Sequence, residues 1–246
     1  MATTGLNPDC QIICGIHDSS ASYLSHLCRR REGDPFGVIS SGTWTIAMAS
    51  EPDLRKLRQE RDMLANIDAF GSPVATARFM GGREYQSVVG ERDMESTPTA
   101  GSLRSVLDQR AMALPSFVRG GGPFPRNEGK IIRSERLDPS ARAALGTLYV
   151  ALIVDVMLDM LEARGDLVID GPLARNPLFG PILAAFRPAS RVQLGGSSSG
   201  AASGGLALTR GMRRVDTGRD SGSAVEPLAI DGLQAYRMQW RECVSS

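Results

Sequence analysis

Two polar clusters, each at the end of an apolar run, are where this sequence could do chemistry. Gln11-Ile12-Ile13-Cys14-Gly15-Ile16 runs into His17-Asp18, and Phe36-Gly37-Val38-Ile39 runs into Ser40-Ser41-Gly42-Thr43. A carboxylate at the mouth of an α/β sheet can take the proton of an attacking hydroxyl, as phosphoryl transfer to an alcohol requires. A Ser-Gly-Thr turn exposes backbone amides and a hydroxyl that can donate to phosphate oxygens. Both clusters also have a plain structural reading. Asp is among the best helix N-caps, and Gly supplies the backbone freedom of a hairpin tip.

Two further clusters lie between a predicted strand and a predicted helix. Asp170-Gly171-Pro172-Leu173-Ala174-Arg175-Asn176-Pro177 is either a plain βα loop or a junction where a nucleotide sits against a helix N-terminus. Gly196-Ser197-Ser198-Ser199-Gly200 fits the G-x-S-x-G pattern of a nucleophile elbow. That hydrolase order needs a histidine after the serine, and the last histidine here is His26, so a close-packed Gly/Ser turn is the better reading. Cys14, His17, His26 and Cys28 are neighbours in sequence, yet their spacing fits no standard zinc pattern.

The periodicity around these clusters is that of an α/β protein. Residues 11–16 read as a buried strand, with Asp18 or Ser19 capping a helix from Ser20 to about Arg30. Phe36–Ser40 and Trp44–Ala49 are β-type runs flanking Ser41-Gly42-Thr43, which predicts a hairpin. Leu54–Met63 reads as helix, Arg78–Tyr85 as a Gly-Gly turn among charged groups, and Gly101–Leu114 as helix. Pro115–Gly129 is a loop by its glycines and prolines. The longest helix is predicted over Ala141–Arg164, closed by Gly165. Strands at Leu167–Ile169 and Arg191–Leu194 then alternate with helices at Asn176–Phe186, Ala201–Gly211 and Leu233–Glu242. That alternation predicts parallel pairing, with ligands at the carboxyl ends of the strands.

Bulk properties exclude several classes. With 42% hydrophobic and 22% charged residues over 246 positions, the chain has the composition of an ordinary globular protein. A net charge of +1 gives no field to gather nucleic acid or a membrane surface. The run Arg29-Arg30-Arg31 reads as a solvated helix end. No cationic segment followed by an apolar one opens the chain. Leu148–Leu161, interrupted by Asp155 and Asp159, reads as too short to span a bilayer. The expected compartment is the cytoplasm.

Taken in order, the motifs resemble the carboxyl-terminal domain of the FGGY family of carbohydrate kinases over nearly the whole chain. "GIHDSSAS" resembles the segment with the catalytic aspartate, "ISSGTW" the phosphate-binding hairpin, "DGPLARNPLF" the adenosine-binding loop, and "SSSGAASGGLAL" the small-residue helix near the end. "RFMGGREY" and "PSFVRGGGPFP" are most similar to the fuculose-kinase-like branch, with rhamnulose kinases nearby. The resemblance implies an actin-like, ribonuclease-H-like ATPase domain with a mixed sheet flanked by helices. It implies an ATP-dependent kinase of a ketose-type sugar, with Asp18 as general base and Gly42 and Thr43 on the ATP phosphates. Gly171, Arg175 and Asn176 would flank the adenosine, His17, Arg83 and Glu84 are candidates for sugar contacts, and Mg²⁺ would bridge the phosphates.

Two departures from the family pattern stand out. Gly171-Pro172 replaces a Gly-Gly pair, so one amide donor is lost from the adenosine loop. Nothing in the chain resembles the amino-terminal domain, which carries a D-x-G-T-type loop and most sugar contacts. The expectation is a single carboxyl-terminal domain over 1–246 that needs the amino-terminal half, in cis or in trans, for catalysis. A non-catalytic nucleotide-binding or interaction module is the alternative, and a bare face for the missing half would favour a homodimer.

Overall fold

The computed structural model describes residues 5, 7, 9–195, 200–212 and 222–245. Its frame is a six-stranded sheet in the order β3-β4-β2-β1-β7-β8. The strands are β1 (Phe36–Ser41), β2 (Thr45–Ser50), β3 (Met63–Ile67), β4 (Pro73–Phe79), β7 (Asp166–Asp170) and β8 (Val192–Leu194). β1 pairs antiparallel with β2 and parallel with β7, β7 pairs parallel with β8, and β2, β4 and β3 continue antiparallel. The predicted hairpin and parallel pairing are both present. A small second sheet joins β5 (Met112–Leu114) and β6 (Lys130–Ile132).

Seven helices surround the sheet among the described residues: α1 (Asp18–Leu27), α2 (Gly81–Val89), α3 (Ala100–Gln109), α4 (Pro139–Met160), α5 (Phe179–Phe186), α6 (Gly200–Thr209) and α7 (Leu233–Ser245). Successive strand residues point to opposite faces, and the two cores follow that alternation. Val38 and Val168 join Tyr23 and Leu27 of α1, whereas Ile39 and Ile169 join the larger core around α4. α4 is apolar all round and buried, as a central helix must be. It is long and apolar enough to cross a membrane, which corrects the predicted shortness of this segment; most of it lies inside the domain, so it is the core helix. Leu233, Tyr236, Trp240 and Val244 form the buried stripe of α7, and the Trp240 indole N–H donates to the Ala113 carbonyl at 2.7 Å.

Several expectations are corrected. Residues 11–16 are exposed and join no sheet, with Ile12 87% exposed. Both neighbours of β1 are already taken by β2 and β7, so this apolar run has no edge there to complete. Leu54–Met63 forms two short 3-10 turns, Leu54–Lys56 and Gln59–Arg61, before β3. The helix predicted to reach Leu114 stops at Gln109, where Arg110 adopts a left-handed conformation (φ +52°), and the next residues form β5. The Arg29–Arg31 run is not wholly solvated: Arg30 is buried, lies over the Phe36 ring and reaches Asp166 at 3.4 Å. The close-packed Gly/Ser turn expected over 196–200 lies, except for Gly200, outside the described residues.

Candidate active site

α1 begins at Asp18, one residue later than an N-cap would lie; His17 holds the cap position and makes no side-chain cap bond. The Asp18 carboxylate Oδ1 accepts from the Ser19 N–H at 2.6 Å and lies 2.7 Å from His17 Nδ1. Its other oxygen has no partner among the described residues, and the side chain is exposed. Facing it is the tip of the β1–β2 hairpin. Asp18, His17, Gly42, Thr43, Trp44 and Arg78 are among the residues lining one cleft of about 290 Å³.

A second cleft of about 320 Å³ opens behind the same tip, and Ser41 and Gly42 line both. Gly81, Gly82, Tyr85, Pro172, Leu173 and Asn176 supply most of its remaining wall. The predicted Gly-Gly turn is in fact the start of α2, packed against the hairpin. A Cβ on Gly82 would lie 2.8 Å from the Gly42 carbonyl oxygen, and one on Gly81 2.1 Å from Thr45 Oγ1. Only glycines let the helix start approach this closely. Gly171 is held likewise: its φ is +82°, and a Cβ there would fall 2.1 Å from the Ser41 carbonyl oxygen.

Pro172 follows as the first residue of a 3-10 turn, Pro172–Arg175. Proline's missing N–H and fixed φ suit that position, so the departure from Gly-Gly is accommodated without distortion. Ser41 ties hairpin to loop: its hydroxyl donates to the Asp170 carbonyl and accepts from the Leu173 N–H at 3.0 Å. The Asp170 carboxylate, buried at the end of β7, in turn receives Ser22 Oγ and lies 2.8 Å from His26 Nε2, both on α1. The helix bearing Asp18 is thus latched to the strand end bearing the Gly171 loop.

The structure brings Asp18, His17, Gly42 and Thr43 to one cleft and Gly42 and Asn176 to the other, with Gly171 packed behind their shared wall. Arg175 and Arg83 are exposed and line neither. Asn176 is already committed. Its Oδ1 accepts from the N–H groups of Leu178 and Phe179 at the start of α5, and its Nδ2 donates to Thr147 Oγ1 at 2.9 Å. Asn176 shapes the wall and orders α5, and one Nδ2 hydrogen is left for a ligand.

Glu84 does not reach either cleft. It is buried, accepting from the Tyr149 hydroxyl and, at 3.3 Å, from the Phe117 N–H. Burial raises its carboxyl above the ordinary value, against the opposing pull of the Tyr149, Phe117 and Val118 hydrogen bonds. A carboxyl whose folded value is raised binds its proton more tightly in the native state. Its contribution to stability is therefore present at low pH and is lost as pH rises from the ordinary 4.5 through the folded value. Glu84→Gln keeps shape and an acceptor oxygen without the charge. The melting temperature of Glu84→Gln minus that of the parent is expected to grow across this range and then level off. A difference independent of pH would overturn the assignment.

Sequence reading missed Ser41, Asp170, Ser22, His26, Asp62 and Arg78 as site residues. Ser41 and Asp170 could have been picked out as the last residues of two adjacent parallel strands. The partners of the others are far away in sequence. Among the described residues no three His, Cys, Asp or Glu side chains cluster as a metal cage, and Asp18 is the one carboxylate lining the first cleft.

A hairpin tip and a helix start facing each other across the carboxyl end of a mixed sheet, with helices on both faces, define the class: an α/β domain of the actin-like, ribonuclease-H-like ATPase type. Residues 33–217 match the carbohydrate kinase FGGY, C-terminal domain, and the chain belongs to that family. A carbohydrate kinase from Novosphingobium aromaticivorans is similar over 98% of this chain and 53% of its own, at 33% identity and a TM-score of 0.79. A xylulose kinase from Rhodospirillum rubrum (18% identity, TM-score 0.60) is covered over 52% of its length by 99% of this chain. A ligand-bound xylulose kinase from Lactobacillus acidophilus (12%, TM-score 0.64) is covered over 51% by 98%. The chain thus spans about half the length of these structures. No curated protein matches it.

Proposed function

We propose that this chain is the ATP-binding, catalytic half of a kinase for a ketose-type sugar, with Asp18 as the general base. The observation that carries the reading is the pair of adjoining clefts: the hairpin tip at Gly42 lines both, with Asp18 in one and the Gly82–Pro172 wall in the other. A nucleotide lying across the tip would place adenosine against Pro172 and Asn176, with Gly171 behind them. Its phosphates would meet the Gly42 and Thr43 amides and the Thr43 hydroxyl. Asp18 would then face the terminal phosphoryl group, with His17 beside the sugar.

The transfer breaks the bond from the γ-phosphorus to the β–γ bridging oxygen, whose electron pair leaves with ADP. A bond forms from the γ-phosphorus to the sugar oxygen, and the hydroxyl proton passes to the free oxygen of Asp18. Mg²⁺, where it is bound, would supply neutralisation of the phosphate charge. The amino-terminal half, in cis or in trans, would supply most sugar contacts and close the cleft. Glu84 serves the fold in this reading, and Arg83 and Arg175 are given no part in it.

Calorimetric titration of the 246-residue chain with magnesium-ADP tests the nucleotide site. Saturable binding is expected. Thr43→Val removes an exposed hydroxyl and is expected to weaken binding about tenfold, the scale of one hydrogen bond to a charged group. No saturable heat, or binding indifferent to Thr43→Val, would overturn the assignment.

A further inference from the structure

We infer that Arg78 is the cation of the catalytic cleft, binding the phosphoryl group in transfer, and that Asp62 is its positioning residue; the inference rests on the kinase reading above. Arg78 is the one arginine or lysine among the residues lining the cleft that holds Asp18 and Thr43. It stands near the end of β4, next to the hairpin strand β2, in register with Ile46. Its guanidinium lies over the Trp44 ring at 4.9 Å, and its Nε donates to Asp62 Oδ1 at 3.1 Å. Neither terminal nitrogen has a partner among the described residues, so four N–H donors of the fork are uncommitted.

Asp62 is itself pinned. It adopts φ +57° between the second 3-10 turn and β3, a left-handed conformation that few residues besides glycine, Asn and Asp tolerate. Its second oxygen accepts from the Gly122 N–H at 2.9 Å. The glycine-rich loop at 120–122, whose composition gave no function in sequence, thereby fixes the carboxylate that fixes Arg78.

Stability alone does not explain why Arg78 is held in this way. A half-exposed Arg–Asp pair contributes little to stability, and Arg78 remains 42% exposed. The geometry accounts for it better. An arginine held by Nε and by one ring face has lost its rotamer freedom in advance. Its remaining fork suits two phosphate oxygens. Charge on the transferred group spreads over its non-bridging oxygens, and a preorganised cation placed there acts without rearrangement. Arg78 forms and breaks no bond.

The test is calorimetric titration of the full chain, Arg78→Gln, Arg78→Lys and Asp62→Asn, at fixed ionic strength, with magnesium-ADP and with the magnesium complex of β,γ-imido ATP. The analogue has the terminal phosphoryl group and ADP lacks it. Arg78→Gln is expected to weaken the analogue about tenfold or more and ADP by no more than about twofold. Arg78→Lys should fall between, because it keeps charge and loses the fork. Asp62→Asn should shift the analogue in the same direction.

Equal weakening of both nucleotides, or of neither, by Arg78→Gln would overturn the role of Arg78. An unaltered Asp62→Asn would overturn the positioning. A purely structural role would lower the melting temperature without separating the two nucleotides, and Arg78→Lys carries the test should the glutamine variant not fold. Failure of the parent chain to bind either nucleotide would instead remove the kinase reading itself.

Discussion

Asp155→Ala lowers the stability of the domain by about 3–5 kcal/mol, the range for removing one partner of a buried charge cluster. Asp155 has no exposed surface and sits on the core helix α4. Arg237 grips both of its oxygens, through Nε at 2.7 Å and Nη2 at 2.8 Å; Arg187 Nε lies at 2.8 Å, and Arg241 also donates to it. Asp159, one turn on and half-exposed, takes Arg187 and Arg241 as well. Removing Asp155 leaves three guanidiniums against one carboxylate in a partly desolvated site. Two of the three sit on α7, so the loss also loosens the helix whose Trp240 and Tyr236 hold the β5 strand. Urea unfolding followed by Trp240 fluorescence and far-ultraviolet dichroism should show a lower midpoint. Asp155→Asn separates charge from volume and should keep a large part of the loss. A change below about 1 kcal/mol would show that these pairs behave as ordinary surface ion pairs.

The elements that sequence made visible are those whose pattern is satisfied locally. β1 and β2 flank a glycine turn, and α4 is apolar on all sides, so period and turn chemistry sufficed. Residues 11–16 failed for a physical reason: an apolar run states a preference for burial without stating what will bury it. β3 failed because only Met63 is buried on it, so an edge strand carries almost no period-two signal. That Asp18, Gly42 and Thr43 share a cleft was legible because each ends or turns an element at the same edge of the sheet. Arg78 and Asp62 were not, since their pairing depends on the register of β3 with β4 and on the return of the 120–122 loop. Glu84 illustrates the opposite error. A carboxylate in a Gly-Gly-Arg-Glu stretch suggests a ligand contact, but helix geometry turns Glu84 away from the cleft and onto Tyr149. Asn176 fell between: it lines the second cleft, yet most of its side-chain hydrogen bonds go to the start of α5 and to Thr147.

Under the proposed kinase reading, Asp18→Asn in the chain combined with the proposed amino-terminal half is expected to reduce sugar phosphorylation by about 10²–10⁴-fold, the usual contribution of a positioned general base. The asparagine keeps the side chain's shape and can still accept from the Ser19 N–H, so α1 should start as before. What disappears is the basicity of the free oxygen that faces the hairpin tip. Because Asp18 is exposed and makes no contact with the Gly82–Pro172 wall, magnesium-ADP affinity should stay within about twofold. The buried Ser22 and His26 that hold Asp170 lie about one and two turns further along α1, so the melting temperature should be unaltered. This separation makes the experiment decisive. A fall in turnover with intact nucleotide binding identifies the base, and a fall in both identifies a structural aspartate. Unchanged turnover would assign proton removal to another group and return this chain to a nucleotide-binding role. The isolated chain should show little or no sugar-dependent ATP turnover before or after the substitution, because the cleft it presents has only one wall in this reading. Robust turnover by the chain alone would overturn the two-domain requirement while leaving the assignment of Asp18 to be read from the same variant.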